Sequence, residues 1–476
     1  MKGLAVCDAD KNQGKTTAMS NPQSLNRPAS SFTPPDALLS KALLSPPSTF
    51  STLSSRFIAV RQQSEKLVKP LSAEDCQLQS MPDASPAKWH LAHLTWFFET
   101  FILENFEKDF KPFDASFRVL FNSYYNGVGD KHPRAERGLI SRPSLLDVLA
   151  YRAQVDQRML QTMADVQAHG SPEAQSKLLE LVTLGLHHEQ QHQELLVTDI
   201  KHALSFNPSR PAYVSRWPLA SIDPEAITWR HYQGGLLEHG AHAQPDGEFV
   251  FDNETPRHTV YVAPFELASR LVTHGEMMAF MADDGYARAE LWLSMGWDWV
   301  QKGQHTLPLY WQGQPGNYST FTLHGLVEVD PNTPMCHLNF FEADAFARWS
   351  GARLPTEFEW ELAASSLPKT SLAHGNFVEN AAYHPLPLQQ AHQDAPSQMF
   401  GDVWEWTQSN YNPYPGYKPW EGVVGEYNGK FMCNQIVLRG GSCATPQSHI
   451  RASYRNFFPP DARWQFSGLR LARDVS

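Results

Sequence analysis

Five cysteines in 476 residues (Cys7, Cys76, Cys336, Cys433 and Cys443), none paired as CxxC, are too few and too scattered for a disulfide framework or a four-cysteine zinc site. Such usage fits a reducing compartment, and the expected location is cytoplasmic. No apolar run is long enough to span a bilayer, and the stretch from Met1 to Cys7 is too short for a signal peptide. Positive charge is also scarce: 39 Lys and Arg face 50 Asp and Glu, a formal charge of −11. That balance argues against a nucleic-acid or acidic-membrane binder and for small, locally recognised ligands. The chain is too long for one ordinary core, so two or three domains are expected.

Aromatic residues, by contrast, make up 12% of the chain, with 14 Trp, alongside 35 Pro and 28 Gly, which favours a loop-rich, aromatic-lined domain. Residues 1–47, rich in Ser, Pro, Asn and Thr, read as a mobile extension. Within them Gly14-Lys15-Thr16-Thr17 resembles the end of a phosphate-binding loop. Ala9 stands where the leading Gly belongs, however, and Asn21-Pro22 interrupts the helix that should follow, so nucleotide binding is not expected. Met1 and Met19 are both open as the start. From about Thr49 to His202, apolar residues recur at three- and four-residue spacing in segments 57–60, 89–103, 145–166 and 178–204, predicting an antiparallel four-helix bundle over 48–205. Pro208, Pro211, Pro218 and Pro224 mark a linker over 206–228. From Trp229 to the end, short strand-like runs such as His258-Thr259-Val260-Tyr261-Val262 alternate with Gly, Pro, Asn and Trp-rich loops, a second compact domain over 229–476 without internal repeats.

The chemistry concentrates in Leu186-His187-His188-Glu189-Gln190-Gln191-His192-Gln193-Glu194. On a helix, His188 and His192 lie four apart, so both imidazoles project from one face and can converge on a metal. In Trp89-His90-Leu91-Ala92-His93, His93 shares a helical stripe with Trp89, Trp96 and Phe97 and should face the bundle interior as a third ligand. A lone inward histidine is more often a core residue, but a helical pair with another inward histidine favours a metal site. Imidazoles suit iron and zinc alike. The run from His188 to His192 also satisfies HExxH, in which Glu189 would be the general base of a zinc protease. Such an enzyme takes its third ligand from just downstream, where the proline-rich linker offers none.

At these residues the sequence resembles the sulfoxide synthases of ergothioneine biosynthesis, over roughly 50–474. The likeness rests on Ser85-Pro86-x-Lys88-Trp89-His90-Leu91-Ala92-His93, Phe121-Asn122-Ser123-Tyr124-Tyr125, Pro133-Arg134-x-x-Arg137-Gly138 and the HExxHxE helix. The second half resembles formylglycine-generating enzymes (sulfatase-modifying factors), through Phe251-Asp252-Asn253-Glu254-x-Pro256-x-His258, Gly351-Ala352-Arg353-Leu354-Pro355-Thr356-Glu357, Gly401-Asp402-Val403-Trp404-Glu405-Trp406 and Leu438-Arg439-Gly440-Gly441-Ser442. The implied fold is α+β and multidomain: a DinB-like four-helix bundle followed by a loop-rich, C-type-lectin-like α+β domain. The resemblance implies Fe(2+) held by His93, His188 and His192. It further implies Gln191 against a histidine-derived substrate, hercynine, with Asn456 and Phe457 around its trimethylammonium group and Trp464 beside them as packing. Arg134 and Arg137 would clamp the carboxylate of a sulfur donor, cysteine or γ-glutamylcysteine, since guanidinium forks suit carboxylates. Tyr124 and Tyr125 match a tyrosine pair near the iron, and oxygen is the co-substrate. Cys443 lacks the second cysteine that formylglycine formation requires, so this domain is expected to wall the substrate pocket. Arg353, Glu357, Trp360, Trp404 and Arg439 are expected to be scaffold. A selenium donor, coupling of cysteine to unmethylated histidine, a zinc hydrolase or thiol transferase, and a silent binding module are the alternatives.

Overall fold

The computed structural model describes residues 50–215, 222–242, 249–390 and 395–475; the N-terminal extension with its loop-like motif and Met19, and part of the linker, lie outside the described residues. Among the described residues four long helices form the first half: α1 (Phe50–Val68), α2 (Ala87–Phe98), α3 (Leu145–His169) and α4 (Pro172–Ser205). Helix α3 begins with a capping box in which Ser144 and Asp147 satisfy each other's backbone N–H. Helix α4 begins with Ser171 accepting from Ala174 N and with Pro172 in the first turn, where a missing N–H costs nothing. All twelve residues of α2 are buried, the polar Lys88, His90, His93 and Thr95 included. Its end passes into a π-turn over Glu99–Leu103, and Glu99 there accepts from the Tyr151 hydroxyl at 2.6 Å and Phe113 N at 2.8 Å. The expected helical character of 49–202 stops short between α2 and α3. Residues 107–144 are loops with short turns, and they carry Tyr124, Tyr125, Arg134 and Arg137.

Among the described residues the second half holds twelve short strands. Sheet one is β1 (Trp229–Tyr232), β4 (Phe265–Ala268) and β12 (Ala472–Asp474), with β4 central; β2 (Gly235–His239) pairs with β3 (His258–Val262). Strands β5 (Trp311–Gln314), β6 (Asn317–Thr322) and β7 (Gly325–Glu328) form a meander. The remaining sheet runs β10 (Asn456–Phe458), β9 (Ile436–Arg439), β8 (Trp404–Asn410), β11 (Ser467–Gly468), antiparallel except for β11 against β8. Of the motif residues expected to be scaffold, Trp404 also lines a cavity shared with the bundle, whereas Arg353, Glu357 and Arg439 are tied into ion pairs. Arg439, fully buried, donates to Glu357 and Glu361 at 3.0 Å each, and Arg353 forks onto Glu359. Among the described residues no helix is long and apolar enough to cross a membrane. The architecture is mixed α+β in two parts, as the sequence leads one to expect.

Helix α4 is the shared element. Glu189 on it, wholly buried, accepts from Arg61 at 2.9 Å and Ser64 at 2.6 Å on α1, and from Arg152 at 2.5 Å on α3. Burial alone would raise the Glu189 pKa, but the Arg152 and Arg61 guanidiniums outweigh it and hold it lowered to about 2. Facing the other way, Glu194 accepts from Trp404 Nε1 and, at 2.6 Å, from Thr445 Oγ1, and Gln190 donates to Ser448 Oγ at 2.7 Å, joining α4 to the second half.

Replacing Glu189 by Leu removes the carboxylate that Arg61 and Arg152 share, leaving Arg61 only the carboxylate of Asp156 at 2.6 Å and Arg152 only that of Glu65 at 3.3 Å, and should destabilise the protein by about 3 kcal/mol in urea unfolding. A change below about 1 kcal/mol would refute the clamp. Because the folded-state pKa is depressed from 4.5 to about 2, the wild-type contribution is complete above pH 4.5 and is lost as pH falls toward 2. The variant should lack that component of acid destabilisation.

Candidate metal centre and active site

His93 on α2 and His188 and His192 on α4 bring one ligand atom each to within 4.8 Å of one another, all buried. The ring centroids are 4.7–5.1 Å apart in all three pairs. The protein's own hydrogen bonds decide which nitrogens remain open. His93 Nδ1 donates to the Phe121 carbonyl at 2.6 Å, leaving Nε2 buried without a partner. Neither nitrogen of His188 has one. His192 Nδ1 lies 2.8 Å from His90 Nδ1, and His90 Nε2 lies 3.1 Å from Asp199 Oδ2, which also accepts from Ser85 N at 2.8 Å. A carboxylate accepts, so His90 donates from Nε2 and accepts at Nδ1; His192 therefore carries its hydrogen on Nδ1, and its Nε2 keeps a lone pair.

Buried nitrogens without partners are rare in native proteins, and three of them on two converging residues, beside a third oriented imidazole, fit a cation. Burial pushes the His93 and His192 pKa values well below the ordinary range and His188 to about 4, with neighbouring histidines adding to the effect on His93 and His192. All three are thus neutral ligands at neutral pH. The pair expected from the four-residue spacing and the third ligand expected from the helical stripe meet at one point.

The triad adjoins a cavity of about 600 Å³ lined by both halves of the chain. The bundle contributes Trp89, Tyr124, Arg134, Arg137, Gln191 and His192; the second half contributes Tyr427, Phe431, Tyr454, Asn456, Phe457 and Trp464. Trp89 stacks on His93 at 4.7 Å, and the Arg137 guanidinium lies 3.4 Å above Trp89 on its other side. Arg137 donates only to two hydroxyls, Ser85 and Ser123, at 2.9 Å each, and has no carboxylate partner among the described residues. Burial lowers its pKa to about 9, a penalty that an anion at its unpartnered Nε edge would relieve. Arg134 is exposed and donates to the Asp83 carbonyl. Gln191 Nε2 lies 2.9 Å from the Tyr454 hydroxyl. Phe457 stacks on Tyr411 at 4.1 Å, presenting an aromatic face beside the Asn456 amide.

The two tyrosines singled out from sequence part company. Tyr124 lines the cavity, whereas Tyr125 is buried among Trp96, Phe97 and Phe101. Tyr427, which no motif marks, lies with its ring 6.5 Å from His188 and 5.9 Å from Tyr124. Its pKa is raised well above the ordinary value by burial and by Tyr124, so it retains its proton. The flanking residues tie it to the bundle: Glu426 accepts from Asn126 N and Gly127 N at 3.0 Å each, and Lys430 donates to the Tyr124 carbonyl at 2.7 Å. Only the high aromatic content hinted at such a residue.

Residues 231–475 match the Sulfatase-modifying factor enzyme 1-like domain, and residues 56–196 match the DinB superfamily. The chain is 31% identical over 452 residues to the hercynine oxygenase of Mycolicibacterium smegmatis, covering 89% of this chain and 99% of that protein. It belongs to the hercynine oxygenase family. The hercynine oxygenase of Mycobacterium tuberculosis is 32% identical, covering 87% of this chain and 97% of that one. The formylglycine-generating enzyme of Streptomyces coelicolor is 27% identical over 48% of this chain and 88% of its own length. Family membership accounts for both parts of the fold.

Alanine at His93, His188 or His192 should each abolish stoichiometric metal binding, measured by elemental analysis, with far-UV circular dichroism unchanged. Full metal retention in any one of them removes that residue from the ligand set. His90→Phe, which frees His192 Nδ1, should weaken metal affinity by about 10–100-fold, the usual cost of losing a ligand's outer partner.

Proposed function

We propose that this chain is an iron(II)- and oxygen-dependent sulfoxide synthase of ergothioneine biosynthesis, joining the sulfur of a cysteine-type thiol to the imidazole carbon between the ring nitrogens of hercynine. The observation that carries this reading is a three-imidazole metal site opening onto a cavity whose bundle wall holds a buried arginine without a counter-ion and whose opposite wall holds aromatic and amide groups. Bound iron(II) supplies oxygen activation and lowers the pKa of a coordinated thiol.

The chain's own residues bring the two substrates together. The unpartnered edge of Arg137, with Arg134 outside it, suits the donor's carboxylate and sets the thiol toward the triad. A quaternary ammonium cannot donate hydrogen bonds, so it is held by aromatic faces and amide oxygens, which Phe457 and Asn456 offer. Gln191, next in sequence to His192, contacts the hercynine body. Tyr427 lies beside His188 with Tyr124 next to it, and its protonated hydroxyl would give a proton to the reacting oxygen. Walls from two domains exclude water and turn a bimolecular coupling into one between neighbours.

The protease reading fails on Glu189. Its carboxylate is turned into the bundle and occupied by two arginines and a serine, so it has no access to a metal-bound water. An anaerobically iron-loaded preparation given oxygen, hercynine and in turn cysteine, γ-glutamylcysteine and a selenium analogue, read by mass spectrometry, tests the proposal. A C–S-linked sulfoxide with one donor is expected. Absence of hercynine consumption with every donor, or peptide hydrolysis by the zinc form that Glu189→Gln abolishes, would overturn it.

Asn456→Ala with Phe457→Ala should raise KM for hercynine much more than for the donor, at constant iron content. Arg134→Ala with Arg137→Ala should do the reverse, by about 1–3 kcal/mol, most of it from the buried Arg137. Equal effects on both substrates would show the division of labour to be wrong. Tyr427→Phe should lower kcat by on the order of 10²-fold with both KM values nearly unchanged.

A further inference from the structure

A second run of buried histidines stands apart from the triad and is given no role by the reaction. Arg56 on α1 places NH2 3.3 Å from His187 Nε2; His187 Nδ1 lies 3.0 Å from His449 Nδ1; His449 Nε2 lies 3.0 Å from the Tyr454 hydroxyl, which meets Gln191 on the cavity wall. Arg56, His187, His449 and Tyr454 are all buried, and His187 is further fixed by stacking on Phe249 at 4.1 Å. The series starts in the bundle, crosses to the second half and returns to α4.

Its polarity follows from its first member. A guanidinium has donors and no acceptor, so His187 must accept at Nε2 and carry its hydrogen on Nδ1. His449 then accepts at Nδ1 and donates from Nε2 to the Tyr454 oxygen. Each ring accepts at one nitrogen and so has one hydrogen to place at the other. The Tyr454 hydrogen is left over, and Gln191 is the neighbour that can take it. With Nε2 toward Tyr454, the Gln191 amide buries Oε1 without a partner. Turned over, Oε1 accepts from Tyr454, and the NH2 group of this cavity-lining residue is the donor left without a protein partner.

We propose that Arg56 is a remote positioning residue which, through His187, His449 and Tyr454, fixes the Gln191 amide as a hydrogen-bond donor toward the substrate. What binds at Gln191 is therefore an acceptor: on hercynine, its carboxylate or a ring-nitrogen lone pair. This rests on the reading of the cavity as the hercynine site, but the wiring itself is testable without turnover.

In the zinc-substituted protein with ¹⁵N-labelled histidine, long-range ¹H–¹⁵N spectra should show His187 as the Nδ1–H tautomer and His449 as the Nε2–H tautomer. The opposite pair overturns the proposal. In kinetics of the iron enzyme, Arg56→Met should raise KM for hercynine by on the order of tenfold, the loss of about one hydrogen bond, with donor KM and iron content unchanged. Arg56→Lys, which also only donates, should restore it, and Tyr454→Phe should reproduce the defect. An unchanged hercynine KM in Arg56→Met and Tyr454→Phe refutes the positioning role. Failure of the functional reading looks different: the wild type would not consume hercynine, while the tautomers would still be as stated.

Discussion

The buried carboxylate of Glu189, held between guanidiniums from α1 and α3, fixes the rotation of α4, and every other part of the site takes its place from that rotation. Once Glu189 points into the bundle, the helical period sends His188 and His192 toward α2, Gln191 toward the cavity, and Gln190 and Glu194 toward the second half. An ion pair of this kind adds little net stability compared with an apolar isostere, yet either partner alone is costly, so the arrangement tolerates only one register. A charge that looks catalytic in sequence thus acts as the peg that orients the catalytic face.

The same helix shows why the metal site needs so few residues. Each ligand imidazole has two nitrogens, and the protein decides the role of each by what it places beside the other one. A carbonyl does so for His93, and a second histidine backed by a carboxylate does so for His192. Only His188 lacks such a partner, and its ring is held by packing, with Phe97 at 4.8 Å.

Much of this was legible before any coordinates. The four-residue spacing of His188 and His192, the stripe shared by His93 with Trp89 and Trp96, and the break in composition near Pro208 depend on local periodicity, which a sequence records directly. The strand His258–Val262 was visible for the same reason. What the sequence concealed is long-range. Nothing near Glu426, Tyr427 and Asn428 shows that a loop between β8 and β9 reaches back to the bundle, because hydrogen bonds to Asn126 and Gly127 leave no periodic trace. HExxH left a zinc hydrolase open as an alternative for a related reason: the pattern specifies which residues share a helix but not which way the glutamate is turned, and two distant arginines decide that. Tyr124 and Tyr125 are adjacent in a loop, where alternation of facing cannot be inferred from helical or strand period.

The cavity has one wall from each half of a single polypeptide. Joined by a short tether, the walls meet at an effective concentration in the millimolar range, set by chain length and not by how much protein a cell makes. Two separate proteins with these surfaces would come apart on dilution and leave the three histidines with one wall of their cavity missing. Continuity of the chain through the proline-rich segment after Ser205 makes the two-walled cavity beside the three histidines a property of each molecule, independent of how dilute the protein becomes.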